Sequence, residues 1–143
     1  MKLLTFYAER GLTLGVKTDR GVLDVAASVE RYSGTAAVPQ TIRQFLEGGE
    51  EAFQALAAHV RRMESAGEVQ LFLDEESLRF GPCVPEPGKI ICVGLNYRKH
   101  AEESNMAVPE YPVLFNKYSN ALAAHNDEIT LPAEAQQVDY EAE

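Results

Sequence analysis

At 143 residues and 45% apolar, the chain has enough material for one ordinary domain, or for a small domain and part of another, and is too apolar for wholesale disorder. A formal net charge of −9 argues against non-specific attachment to nucleic acid or to an anionic membrane, and it fits a protein that handles small molecules or cations. No apolar run approaches the ~18 residues of a membrane span, and Met1-Lys2-Leu3-Leu4-Thr5-Phe6 meets Glu9-Arg10 without a signal-peptide core, so the cytoplasm is the expected compartment.

The first 26 residues read as a three-strand meander. Leu4, Phe6 and Ala8 alternate, as do Leu12, Leu14 and Val16, and Val22 to Val25 is a third apolar run. Glu9-Arg10-Gly11 and Asp19-Arg20-Gly21 separate the strands, each with a glycine where a tight hairpin needs positive φ. Two helices follow. Thr41 caps Ile42 to Glu47, and Gly48-Gly49 stops it; the second helix runs from about Glu50 to Ser65, with Phe53, Leu56, Ala57, Val60 and Met63 at helical spacing and Gly67 beyond. Val69 to Phe72 is expected to form a short strand. Pro82, Pro85, Pro87 and Gly88 then punctuate the chain as a stiff connector.

Lys89 to Val93 reads as a buried strand, Gly94 to Tyr97 as a turn, and Arg98 to Asn105 as helical. Val113 to Phe115 and Ile129 to Leu131 are expected strands, Asn126-Asp127 a turn, and Val138 to Glu143 the start of another strand. Cys83 and Cys92 lack a CxxC spacing, so neither a disulfide framework nor a zinc site is expected, and Cys92 reads as a buried, inert thiol. His59, on the flank of its helix, and His125, in a polar turn, are expected to be structural.

In a strand, Asp139, Glu141 and Glu143 share one face. Two glutamates at that spacing suit one hard divalent cation, and a solvated strand face tolerates them equally well. His100 and Glu103 lie one helical turn apart, where a carboxylate orients an imidazole and lets it relay a proton; a surface pair of no consequence has the same spacing. Gly94 and Asn96 sit where a strand gives way to a loop. Lys117 follows Phe115-Asn116 at a strand end, where it either meets an anionic substrate or is simply exposed.

Taken together, Lys89-Ile-Ile-Cys-Val-Gly-Leu-Asn-Tyr97, His100, Glu103, Pro112-Val-Leu-Phe-Asn-Lys117, Asn120-Ala-Leu122 and Val138-Asp-Tyr-Glu-Ala-Glu143 make the chain resemble the fumarylacetoacetate hydrolase family. The branch it resembles holds the acylpyruvate hydrolases and the 2-hydroxyhepta-2,4-diene-1,7-dioate isomerases. The resemblance implies an α+β architecture: a small N-terminal domain over residues 1–76, a connector over 77–88, and from 89 to 143 the opening strands of a β-rich catalytic domain. It implies a Mg²⁺ or Mn²⁺ enzyme acting on 2-oxo acids through a metal-stabilised enolate, as hydrolase, decarboxylase or isomerase. Glu141 and Glu143 would be metal ligands, His100 the general base paired with Glu103 on a lid helix, and Lys117 a substrate contact. A homodimer with a small-molecule 2-oxo acid substrate is implied, without nucleic acid or membrane. The family takes a third carboxylate ligand, an aspartate, from further along its chain, so a 143-residue chain alone is expected to be inactive and to bind metal poorly. The alternatives are a non-catalytic module that pairs with another chain, or an unrelated binding domain with a fortuitous acidic strand.

Overall fold

Two tight turns organise the N-terminal strands. The computed structural model describes residues 1–32 and 37–138. It places β1 (Lys2–Ala8), β2 (Gly11–Thr18) and β3 (Gly21–Asp24) in an antiparallel meander. Gly11 and Gly21 adopt φ of +103° and +119°, which the two hairpins need and which side chains resist. Because Ala8 pairs with Gly11, even positions of β1 face odd positions of β2. Leu14 and Val16 therefore share a face with Leu3 and Thr5, whereas Phe6 lies on the opposite face beside Gly15 and Val22. A short β4 (Phe72–Leu73) pairs with β3 and completes the order β1-β2-β3-β4. The free edge of β1 is closed by the chain before the prolines. Tyr7 N–H donates to Arg79 O (2.9 Å), Gly81 N–H to Thr5 O (2.8 Å), and Thr5 Oγ1 to Pro82 O (2.7 Å).

Three helices accompany this sheet, one more than the sequence suggests. The third apolar run stops as a strand at Asp24, whose carboxylate accepts from Ala27 N–H (2.9 Å) and caps α1 (Val25–Arg31). Val25 is thus helical, a correction to the expected strand. In α2 (Ile42–Glu47), Thr41 Oγ1 accepts from Gln44 N–H at 3.1 Å, the cap expected of it. The long α3 (Gly49–Ala66) ends on Gly67 in the left-handed conformation. Val69–Leu71 forms a 3-10 turn in place of the expected strand, which is confined to Phe72 and Leu73. Leu14, Val16, Leu23, Val25, Ile42, Leu56, Val60, Met63 and Phe72 form one buried cluster that sheet and helices share.

The chain divides into two units: Met1–Glu86 with Ala123–Asp127, and Pro87–Leu122 with Glu128–Glu143. In the second unit β5 (Ile90–Gly94) and β6 (Val113–Lys117) form an antiparallel pair, and α4 (Arg98–Glu103) lies in the connection between them. Ile129 to Leu131, an expected strand, is irregular, because among the described residues no strand pairs with it. The strand expected from Val138 to Glu143 lies, beyond Val138, outside the described residues. The fold class is α+β. Among the described residues no helix is long and apolar enough to cross a membrane.

Candidate active-site residues

The site candidates of the second unit begin where β5 ends. Gly94 is the last ladder residue, opposite Val113, and the chain leaves the sheet through Leu95 at φ +51°. The left-handed residue is thus a leucine and not the glycine before it. That conformation costs a bulky side chain on the order of 1–2 kcal/mol, so flanking structure must hold it.

After Leu95, α4 is short and weakly encoded. Its N-cap, Tyr97, supplies no side-chain hydrogen bond. Backbone closure comes from Ala101 N–H to Tyr97 O (3.2 Å), Ser104 N–H to His100 O (3.0 Å) and Met106 N–H to Ala101 O (2.8 Å). Ala101 is fully buried and fixes the helix's inner side, while His100 is half-buried and Glu103 exposed. Among the described residues, neither His100 nor Glu103 makes a side-chain hydrogen bond or ion pair. The Glu103 carboxylate stands one helical turn from the His100 imidazole on α4.

Lys117 is placed differently. It pairs with Ile90, four ladder positions from the Gly94–Val113 pair at which the α4 connection leaves the sheet. Four strand residues span on the order of 13 Å. Its Nζ lies 5.2 Å from the Phe115 ring centre on the same sheet face, a cation–π contact. Lys117 and α4 share no hydrogen bond or ion pair among the described residues.

Glu141 and Glu143, the expected metal ligands, lie outside the described residues. Among the described residues no cluster of three or more His, Cys, Asp or Glu side chains is arranged to hold a metal ion. Cys92 is half-buried, more open than the inert thiol expected, and Cys83 is exposed. In the first unit His125 meets Phe80 edge-on, with ring centres 5.6 Å apart.

One polar pair was not foreseen. His59 lies on the buried side of α3, and its Nε2 is 2.8 Å from the buried Ser28 Oγ. The signal was present, since position 59 is three residues after Leu56 and four before Met63, squarely within the apolar stripe.

Comparison with known proteins gives this arrangement a context. Residues 89–143 match the family described as fumarylacetoacetate (FAA) hydrolase, C-terminal. Human oxaloacetate tautomerase FAHD2A, mitochondrial, is 32% identical across 100% of this chain, which covers 43% of the human protein. The Bos taurus protein of that name is 37% identical, again over 100% of this chain and 43% of its own length. Among solved structures, a candidate HpcE protein from Mycobacterium smegmatis superposes with a TM-score of 0.59 at 27% identity, over 93% of this chain and 41% of that one. Residues 89–143 thus match the fumarylacetoacetate hydrolase family, and the chain is similar along its whole length to part of longer proteins of that kind. It spans less than half the length of these relatives.

Proposed function

We propose that the chain is part of an enzyme that moves a proton on a 2-oxo acid bearing an acidic C–H beside its keto group, oxaloacetate being the substrate the relatives' names favour. The observation that carries the proposal is the family match over residues 89–143, within which α4 presents His100 and Glu103 from the connection between β5 and β6. Tautomerisation needs a base at carbon and a proton for oxygen. The neutral imidazole of His100 takes the proton from C3, and the imidazolium returns it to the 2-oxo oxygen, so that keto acid becomes enol with no oxidant and no net loss of atoms. Glu103, one turn away, holds the positive charge during the transfer.

The donor chemistry of Glu141 and Glu143, two carboxylates at alternate positions, suits Mg²⁺ or Mn²⁺. When bound, such an ion supplies Lewis-acid polarisation of the substrate's carboxylate and keto oxygens. Lys117 is proposed to meet a second anionic group of the substrate, and the working unit to be a homodimer. The cytoplasm expected from the sequence and the mitochondrion in the relatives' names are both compartments where such an enzyme meets 2-oxo acids.

A second reading keeps the fold without turnover, as a module that pairs with another chain. The exposed Ile91, Val113 and Leu114 on the β5–β6 pair favour it. The test uses the protein purified from its own source. Its intact mass is compared with the 15.8 kDa of this sequence, and the enol absorbance of oxaloacetate is followed with and without Mg²⁺. We expect Mg²⁺-dependent turnover, and a loss of about 10²–10⁴ in kcat for His100→Ala with the fold intact. Absence of turnover with every divalent ion would favour the paired module, and full activity in the variant would remove His100 as the base.

A further inference from the structure

Ser28 on α1 and His59 on α3 are both buried, and their hydrogen bond joins two helices of the first unit. The direction of that bond is fixed by a third atom. Ser28 Oγ donates its only proton to Val25 O at 2.7 Å, so at the 2.8 Å contact the hydroxyl accepts and His59 Nε2–H donates. The neutral ring then carries no proton on Nδ1, and Nδ1 is buried with no hydrogen-bond partner. A second proton on the ring would have to sit on that nitrogen, in the core, with nothing to accept from it. The arrangement is not a nucleophile–base pair, because the hydroxyl proton points away from the imidazole and both residues are buried.

We propose that the Ser28–His59 contact is an acid-released latch that holds α1 against α3. The charged groups around it are few. Arg62, on α3 one turn beyond His59, places its guanidinium over the Tyr32 ring, 5.5 Å from its centre, at the end of α1. Glu68, just past α3, accepts from the Tyr32 hydroxyl and pairs with Arg31 Nε at 3.3 Å. These contacts fasten the far end of α1 and do not involve the imidazole; from α1 the ring is met by the uncharged Ser28. Burial first, and then the positive charge of Arg62, hold the ring's proton affinity below the ordinary value of 6.5.

The sign follows from linkage. As pH falls below 6.5 the unfolded chain takes up a proton on this histidine more readily than the folded chain does. Folding stability is therefore complete above that pH, declines below it, and levels off once the folded ring also titrates. For one proton the limiting slope is about tenfold in the folded-to-unfolded ratio per pH unit.

The experiment compares denaturant midpoints of the 143-residue chain and of His59→Phe between pH 7.5 and about 5, with imidazole ¹⁵N spectra and amide exchange on the unmodified chain. We expect the unmodified chain to lose folded-to-unfolded ratio more steeply than the variant as pH falls below 6.5, the tenfold limit being the ceiling of that difference. We also expect a ring in the Nε2–H form that stays neutral below its ordinary titration range, and amides of α1 that lose protection before those of β2. Equal slopes in the two chains would overturn the latch. If the variant does not fold, the ¹⁵N spectra decide: an Nδ1–H form, or a ring that charges at its ordinary pH with α1 still protected, overturns it.

Discussion

At Gly21 the backbone sits at φ +119°, and a Cβ there would come within 2.5 Å of Leu73 O on β4. At Gly11 the φ is +103° but nothing lies within 4 Å of a Cβ. Both positions bear the backbone penalty of a side chain at positive φ, on the order of 1–2 kcal/mol. Only Gly21 adds a clash with main chain that cannot rotate away, worth a further ~1–3 kcal/mol. Gly21→Ala should therefore lower the denaturant midpoint of the first unit clearly more than Gly11→Ala. Equal losses would mean that β4 yields without cost. Both glycines were legible as turn residues from the two-residue spacing alone; the clash was not, because β4 comes from the far side of three helices in sequence. His59, expected on the flank of its helix, lies instead on its buried side. Its spacing from Leu56 and Met63 places it on the apolar stripe, but spacing does not say that Ser28 waits there, since α1 itself was hidden.

Among the elements, those closed by local chemistry were the ones sequence could delimit. Thr41 bonding Gln44, and Gly67 in the left-handed form, act within a single turn. α1 escaped because Val22, Leu23 and Val25 read as one apolar run, and only the bond from Ala27 N–H shows that Asp24 divides strand from helix. Ile129 to Leu131 differs for the opposite reason: a strand exists only if another strand lies beside it, local pattern does not supply a partner, and among the described residues none pairs with it. The second unit shares this split, with a helix holding His100 and Glu103 legible and the ladder position of Lys117 not. α4 is also the weakest helix by its own composition. Arg98 and Lys99 stand at its N-terminus and Glu102 and Glu103 at its C-terminus, the reverse of what the helix dipole favours, and Tyr97 gives no side-chain cap. Tyr97 is exposed and already in the extended conformation that a cap needs. Tyr97→Asp should stabilise α4 by about 1 kcal/mol, read as exchange about fivefold slower at the Ala101 and Ser104 amides. Unchanged exchange would mean that Ala101 packing, and not the helix end, limits its opening.

For the whole molecule the two units differ in how completely they bury what they carry. In the first, strands and helices enclose one core in which Leu14, Leu23, Leu56 and Met63 are at most 1% exposed. In the second, a two-stranded ladder leaves Ile91 61% and Leu114 63% exposed, side by side with Val93 on one face. An isolated hairpin is marginal in water, because a pair of strands buries too little to offset the ordering of its backbone. Amide exchange in the 143-residue chain should therefore separate the two ladders. The β2 amides, flanked by β1 and β3, should open only with the unfolding of their unit, and the β5–β6 amides through local opening, with protection at least about 10²-fold lower. Protection that rises in β5–β6 alone when a second polypeptide is added would locate its docking surface on this ladder. Equal protection in both ladders of the chain by itself would mean that the second unit is already a stable body, and that its exposed leucine and isoleucine cost it little.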